Sequence, residues 1–200
     1  MKASVLAGLL ISVAPLLAWE ASAAPYKFTS EDSTVKWVGK KVAGNQDGTV
    51  KLKEGTLDLA AKGDKGRFVI DLKSIENSDL KGQDEWKKKL EDHLKSPDFF
   101  NVEKFPEATL VVKDLKADAK DKTKYSAKGD LTIKGITKPV SFPVTIVEKD
   151  GKASVESALK INRLEWDIRY NSGKFFDPKQ LGDKLIDDEI EFDVKLNGKA

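Results

Sequence analysis

Residues 189–196 read EIEFDVKL. Ile190, Phe192, Val194 and Leu196 alternate with Glu189, Glu191, Asp193 and Lys195, the period of a strand with one buried and one wet face. The same period recurs upstream. Phe68, Ile70 and Leu72 alternate with Arg67, Asp71 and Lys73, with only Val69 out of step. Val140, Phe142, Val144 and Ile146 stand opposite Ser141, Pro143 and Thr145, and Val155, Leu159 and Ile161 opposite Ser154, Glu156 and Lys160. Strands of this kind belong to antiparallel sheets. Turn signals separate them: Lys149-Asp150-Gly151-Lys152 suits a type I′ hairpin, Gly63-Asp64-Lys65-Gly66 closes another, and Gly135 marks a corner. Segments near 34–41, 49–60, 66–73, 107–116, 123–134, 138–148, 152–163 and 188–197 make an all-β chain of about eight strands, a closed barrel or a sandwich. Pro143 within a strand calls for a bulge or an irregular edge.

Two stretches interrupt this pattern. Residues 74–106 contain a helix whose stripe is Trp86, Leu90 and Leu94, with Asp84 and Glu85 at its start and Pro97 as its stop. Residues 165–187 carry Trp166, Tyr170 and the adjacent pair Phe175-Phe176. The first 23 residues have a different character. Lys2, the apolar run Val5–Ala18 and Ala21-Ser22-Ala23 form the three parts of a secretory signal peptide, so cleavage after Ala23 is expected to leave one domain over 24–200. The apolar run is too short to span a bilayer, which argues against a stable membrane anchor and for a periplasmic or secreted chain. The chain has no cysteine, so an exported fold must rest on its core, and thiol chemistry is excluded. Without Lys2 and Glu20, the 35 basic and 33 acidic residues become 34 and 32, interleaved along the chain rather than patched as in a nucleic-acid binder.

Chemistry has few places to reside. His93 is the only histidine, beside the helix stripe, and no Gly-x-Ser-x-Gly elbow accompanies it. It reads as a structural residue at the stripe's edge. One histidine and no cysteine make a metal site improbable, and no cofactor is expected. Gly44-Asn45-Gln46-Asp47-Gly48 reads as a hairpin loop. What remains is an apolar interior with aromatic insertions. It is either packed shut or holds one small ligand, and the residues alone leave both open.

Several stretches together resemble one family: Trp37-Val38-Gly39, GRFVIDLKSI (66–75), HLKSPDFFNVEKFPEAT (93–109), GDLTIKGITKPVSFP (129–143) and INRLEWDIRYNS (161–172). Their order and spacing are similar to those of the YceI-like exported bacterial proteins, over about Tyr26 to Leu196. The resemblance implies an eight-stranded antiparallel lipocalin-like barrel with a helix-bearing insertion. It also implies an isoprenoid lipid or isoprenoid quinone held in an apolar tunnel, with no bond chemistry. Carried onto this chain, the expected ligand contacts are Trp37, Phe68, Ile70, Leu131, Phe142 and Ile161 from the strands and Phe99 and Phe100 from the DFF motif. Arg163, Trp166, Tyr170 and Phe176 follow from the second interruption. Arg163 would suit a pyrophosphate head unless it is an ordinary strand-end salt bridge; Trp166 and Tyr170 would suit a quinone. Many relatives carry a histidine where this chain has Gln46 or a neighbour, so a role resting on that histidine does not transfer. The competing readings are a hydrolase-like enzyme on an amphiphile, using His93, and a packed structural module. A homodimer is left open.

Overall fold

The computed structural model describes residues 24–200, so the expected signal peptide lies outside the described residues. Eight antiparallel strands form one closed barrel in sequence order: β1 Tyr26–Lys41, β2 Gly44–Leu57, β3 Gly66–Asn77, β4 Glu107–Ala117, β5 Lys124–Ile133, β6 Ile136–Lys149, β7 Lys152–Asn162 and β8 Ile186–Lys199. The ring closes where β8 pairs with β1, with Phe192 opposite Trp37 and Val194 opposite Val35. The alternation that opens the sequence reading therefore sits at the closing seam, facing the core.

Strands β1 and β2 begin earlier and β3 ends later than their patterns suggest, and one expected loop is absent. The β1–β2 turn is Val42-Ala43, and Gly44–Gly48 belongs to β2. The sequence suggested a loop because glycine and polar residues cluster there. Gly48 serves another purpose: an added Cβ would lie 1.9 Å from the Glu76 carbonyl oxygen and 2.6 Å from the Trp37 ring, so only glycine admits that close approach. A register shift between Thr49 and Lys51 then changes the parity of β3, and one between Leu52 and Glu54 changes that of β2. Gly48, Val50 and Leu52 point inward before the second shift, and Gly55 and Leu57 after it.

Pro143 marks an irregular edge without a bulge. The β5–β6 register runs unbroken from Lys124–Thr145 to Ile133–Ile136. On the other side, Asp150 (φ 50°) and Gly151 (φ 70°) make a two-residue turn, so Lys149 and Lys152 are its hydrogen-bonded closing pair. Counting back, Val147, Thr145, Pro143, Ser141 and Pro139 are the β6 residues whose backbone polar groups face β7. Pairing with β7 stops at Val144–Ser157. The next hydrogen-bonded pair would be Pro143 with Ala158, and proline has no N–H to give. The Pro143 carbonyl instead accepts the Ser157 hydroxyl at 2.8 Å, and Pro139 repeats the block further on.

The two ends of the barrel differ. At the far end, Phe28 is buried and packs against Phe68 with ring centres 5.6 Å apart and the rings tilted, while the Tyr26 hydroxyl donates to Glu148 at 2.6 Å. The segments 78–106 and 163–185 both leave from the opposite end, because β3 and β7 run toward it and β4 and β8 run away from it. The first holds helix α1, Asp84–Lys95; the second holds a 3-10 turn, Arg163–Trp166, and the short helix α2, Pro178–Leu181. Buried Asn77 anchors the first. Its backbone N–H donates to Glu91 of α1 at 2.8 Å, its side-chain amide to the Asp47 carbonyl at 3.0 Å, and its side-chain oxygen accepts from Leu80 at 2.9 Å.

The parted ladder is directly observable in solution. The Lys160 amide, which faces β6 beyond the last paired residues, should exchange with deuterium well ahead of the paired Ser154 and Glu156 amides. Equal protection across all three would contradict the seam.

Candidate functional site

The barrel is not packed shut. It encloses a cavity of about 320 Å³ that runs from Leu57, Val155 and Leu196 near the far end to Gln46, His93 and Tyr170 between the insertions. Protein interiors hold few voids larger than a water molecule, so this is a large departure. Its wall is almost wholly apolar, because every strand turns its hydrophobic row inward. Ile70, Leu110, Leu159, Phe192 and Val194 face this space and are only half-buried, since the interior they line is itself accessible.

Ten of the twelve expected contacts lie on this wall: Trp37, Phe68, Ile70, Leu131, Phe142 and Ile161 from the strands, and Phe99, Phe100, Arg163 and Tyr170 from the insertion end. Two are elsewhere. Trp166 does not reach the cavity. It is buried in the 3-10 turn, which packs against β6 and β8, and its indole N–H donates to the Leu131 carbonyl at 3.2 Å. Lys134 ties the same turn to the β5–β6 hairpin by donating to the Asp167 carbonyl at 3.1 Å. The indole therefore packs the wall beside the parted β6 edge from outside the tunnel. Phe176 is 49% exposed and its neighbour Phe175 is 48% exposed, so this pair does not line the tunnel as Phe99-Phe100 does. Its backbone explains the difference: both amides donate to the carbonyl of buried Ser172 at 3.0 Å, turning the chain out into solvent.

Helix α1 carries the largest surprise. Its inward residues are Leu90, His93 and Leu94, which are i, i+3 and i+4 on one face. Trp86, a turn earlier on the expected stripe, is 62% exposed. His93 thus lies on the wall rather than merely beside it. Its ring meets Tyr170 edge-on at 4.5 Å and Phe99 at 5.1 Å, and its Nε2 is 3.3 Å from the Asp98 carboxylate. The i+3 spacing from Leu90 was the available signal, but it becomes decisive only once α1 is known to lie over the barrel mouth. The carboxylate partner of His93 is Asp98, not the adjacent Asp92.

Arg163 is the buried cation of the site, 1% exposed. Its guanidinium donates to three carbonyls: Asp187 at 2.9 Å, Ile168 at 2.7 Å and Ile186 at 3.2 Å; a fourth contact reaches Asp188 at 3.5 Å. Burial lowers its pKa, while the charges of Asp188 and then Asp187 oppose that shift. It is more than a strand-end salt bridge: the fork clips both ends of the second insertion to the start of β8. Lys40, also on the wall, extends its ammonium to Glu191 at 2.6 Å. Hydrogen bonds from Lys160 and Lys40 hold the Glu191 pKa down at about 2. Among the described residues no group of three or more His, Cys, Asp or Glu side chains could hold a metal ion.

Residues 26–198 match the family model of the YceI-like domain. The chain is 32% identical over 151 residues to a UPF0312 protein of Pseudomonas putida, covering 72% of this chain and 73% of that protein. It is 28% identical over 135 residues to Protein YceI of Escherichia coli, covering 63% of this chain and 65% of that protein, just under two thirds of its length. Among solved structures, a polyisoprenoid binding domain from Saccharophagus degradans implicated in plant cell wall breakdown shares the fold. The TM-score is 0.64 at 16% identity, over 88% of this chain and 98% of that one.

Replacing Arg163 by leucine should strip three carbonyls and a carboxylate of their donor and lower stability by roughly 3 kcal/mol. Urea unfolding measures this. An unchanged midpoint would mean that the guanidinium does not hold the insertion and is free to serve a ligand.

Proposed function

The chain belongs to the YceI-like family, and on that premise we propose that it is an exported carrier of an isoprenoid lipid. It would shield, store or shuttle the lipid in its tunnel without making or breaking bonds. The observation that carries this reading is the continuous apolar cavity between the sealed far end and the two insertions. At about 24 cal/mol per Å³, leaving such a space dry would cost on the order of 8 kcal/mol, which a fitting hydrocarbon would offset. Each isoprene unit moved from water would gain roughly 3–4 kcal/mol gross at about 0.8 per carbon, reduced by the entropy of ordering the chain. Two or three units are enough for useful affinity. The polyisoprenoid binding domain that shares the fold supports the same class of ligand. Export rests on Lys2, the apolar run and Ala21-Ser22-Ala23.

The mouth favours an uncharged head group over a diphosphate. Arg163 spends its donors on carbonyls and Asp188, Lys40 is held by Glu191, and Asp187 lines the same opening with a negative charge. Among the described residues, Lys41 is the one lysine or arginine on that wall without a carboxylate partner, so a diphosphate brought there would meet a single free cation with Asp187 beside it. The rings of His93, Phe99 and Tyr170 offer stacking surface, and Tyr170 a hydroxyl, which suits a quinone ring.

Native mass spectrometry of protein purified without detergent should show a bound neutral isoprenoid. A lipid-stripped sample should take up an isoprenoid quinone in preference to a prenyl diphosphate of equal chain length. Phe100→Asp, which puts a carboxylate on the tunnel wall without touching the barrel ladders, should weaken uptake at least about tenfold, or 1.4 kcal/mol. Protein that neither carries lipid nor takes it up would overturn the reading.

A further inference from the structure

The large apolar side chains that this fold leaves in solvent are not scattered. Val42, Trp86, Phe175, Phe176 and Val147 are the exposed ones among the described residues, and only Val147 lies toward the far end. The other four surround the tunnel mouth, on the β1–β2 turn, helix α1 and the second insertion. Val42 and that insertion touch: the Val42 amide donates to the Leu185 carbonyl at 3.2 Å, and Val42, Gly173, Lys174 and Leu185 share a shallow groove. Nothing in the barrel needs these side chains. Helix α1 buries Leu90 and Leu94 partly and turns Trp86 away from them into water.

Each apolar tip is set among cations. Lys40 and Lys41 precede Val42, Lys87, Lys88 and Lys89 follow Trp86, and Lys174 precedes Phe175-Phe176. Lys89 lies 5.3 Å over the Trp86 ring, and the Arg169 guanidinium 4.7 Å over that of Phe175. Of the carboxylates nearby, Glu76 and Glu91 are engaged by Lys87, Asp92 by Lys88, Asp167 by Arg169, Glu191 by Lys40 and Asp188 by Arg163 and Lys174. This leaves Lys41 and Lys89 without a carboxylate partner among the described residues. Asp177 caps α2 through the Lys179 amide, and Asp187 lines the mouth. Asp84 and Glu85 remain beside Trp86, and Asp183 lies in the second insertion. An amphipathic aromatic tip with lysines around it is the composition of an interfacial membrane anchor, in which the ring enters the head-group layer and long cationic side chains reach anionic phosphates.

We propose that the insertion end of the barrel docks on the surface of an anionic phospholipid bilayer through Trp86, Phe175, Phe176 and Val42, placing the tunnel mouth against the membrane. The purpose rests on the lipid-carrier reading: α1 contributes Trp86 to the outer face and Leu90 and His93 to the tunnel wall, so cargo would pass between bilayer and tunnel without crossing water. The docking is peripheral, because among the described residues no helix is long and apolar enough to cross a membrane.

Tryptophan fluorescence isolates the contact. Of the tryptophans in residues 24–200, Trp37 and Trp166 are buried and only Trp86 is exposed. Vesicles of phosphatidylcholine with phosphatidylglycerol should shift the emission of the 24–200 chain to the blue and carry the protein down on sedimentation. Pure phosphatidylcholine vesicles should do so much less, and added salt should reverse both effects. The triple variant Trp86→Ala, Phe175→Ser, Phe176→Ser should lose at least about tenfold in vesicle partition while keeping its melting temperature and its bound lipid. Unshifted emission with no co-sedimentation overturns the proposal, as does a triple variant that binds vesicles like the parent. A patch-dependent dimer in sedimentation velocity would also overturn it, making a second copy the occupant. Vesicle binding by a chain that carries no lipid would instead remove the carrier reading and leave the docking standing.

Discussion

Strand β8 closes on β1, and the tunnel depends on that closure. Once Phe192 faces Trp37 and Val194 faces Val35 across the seam, every strand has two neighbours and no edge runs unpaired along its full length. The inward rows must then share one enclosed space. A ring of eight strands is near the width at which side chains either fill the interior or leave room for one ligand. Here medium-sized residues such as Val50, Ala108, Val112, Ala127 and Val144 occupy much of the wall, and they are too short to meet across it.

The shape of the mouth depends on two buried polar side chains that do work the ladders cannot. Beyond Asn77 and Asn162 the chain leaves the sheet, and its backbone groups lose their partners. Asn77 meets that demand for the first insertion with side-chain hydrogen bonds to Asp47, Asp79 and Leu80, beside its backbone bond to Glu91, and Arg163 for the second with a fork onto three carbonyls. Both are almost fully buried, and both link segments distant in sequence. Their role explains why a cation on the wall of a lipid tunnel need not be a head-group ligand. Its hydrogen-bonding capacity is largely committed before any ligand arrives.

Much of the barrel was legible along the chain because a strand's period is local. The alternation of 189–196 and the Asp-Gly turn at 150–151 act over a few residues, and so does the missing N–H of Pro143. The structure keeps all three. The failures share one cause as well. Gly48 looks like loop in the sequence because the Trp37 ring and the Glu76 carbonyl that require a glycine come from neighbouring strands. Trp86 matched the helical stripe, yet whether a stripe position is covered depends on what lies beneath that turn of the helix. Trp166 and Phe176 are aromatic and lie in or near the right motif, which along the chain is indistinguishable from a place on the tunnel wall. A 3-10 turn beside the parted β6 edge takes one, and the turn anchored on Ser172 sends the other into solvent.

By itself, the sequence determined an all-β chain of eight antiparallel strands with two aromatic-bearing interruptions, and its motifs pointed to the family. Periodicity, turn chemistry and proline sterics are interactions between near neighbours, so they can be read in order. Only the tertiary structure decided that the interior is open, that His93 joins Tyr170 and Phe99 on its wall, that Arg163 is an anchor, and that Trp86 and Phe175-Phe176 rim the mouth. Each of these is a contact, or the lack of one, between residues far apart along the chain, fixed by how the ring closes and where two long connections come to rest.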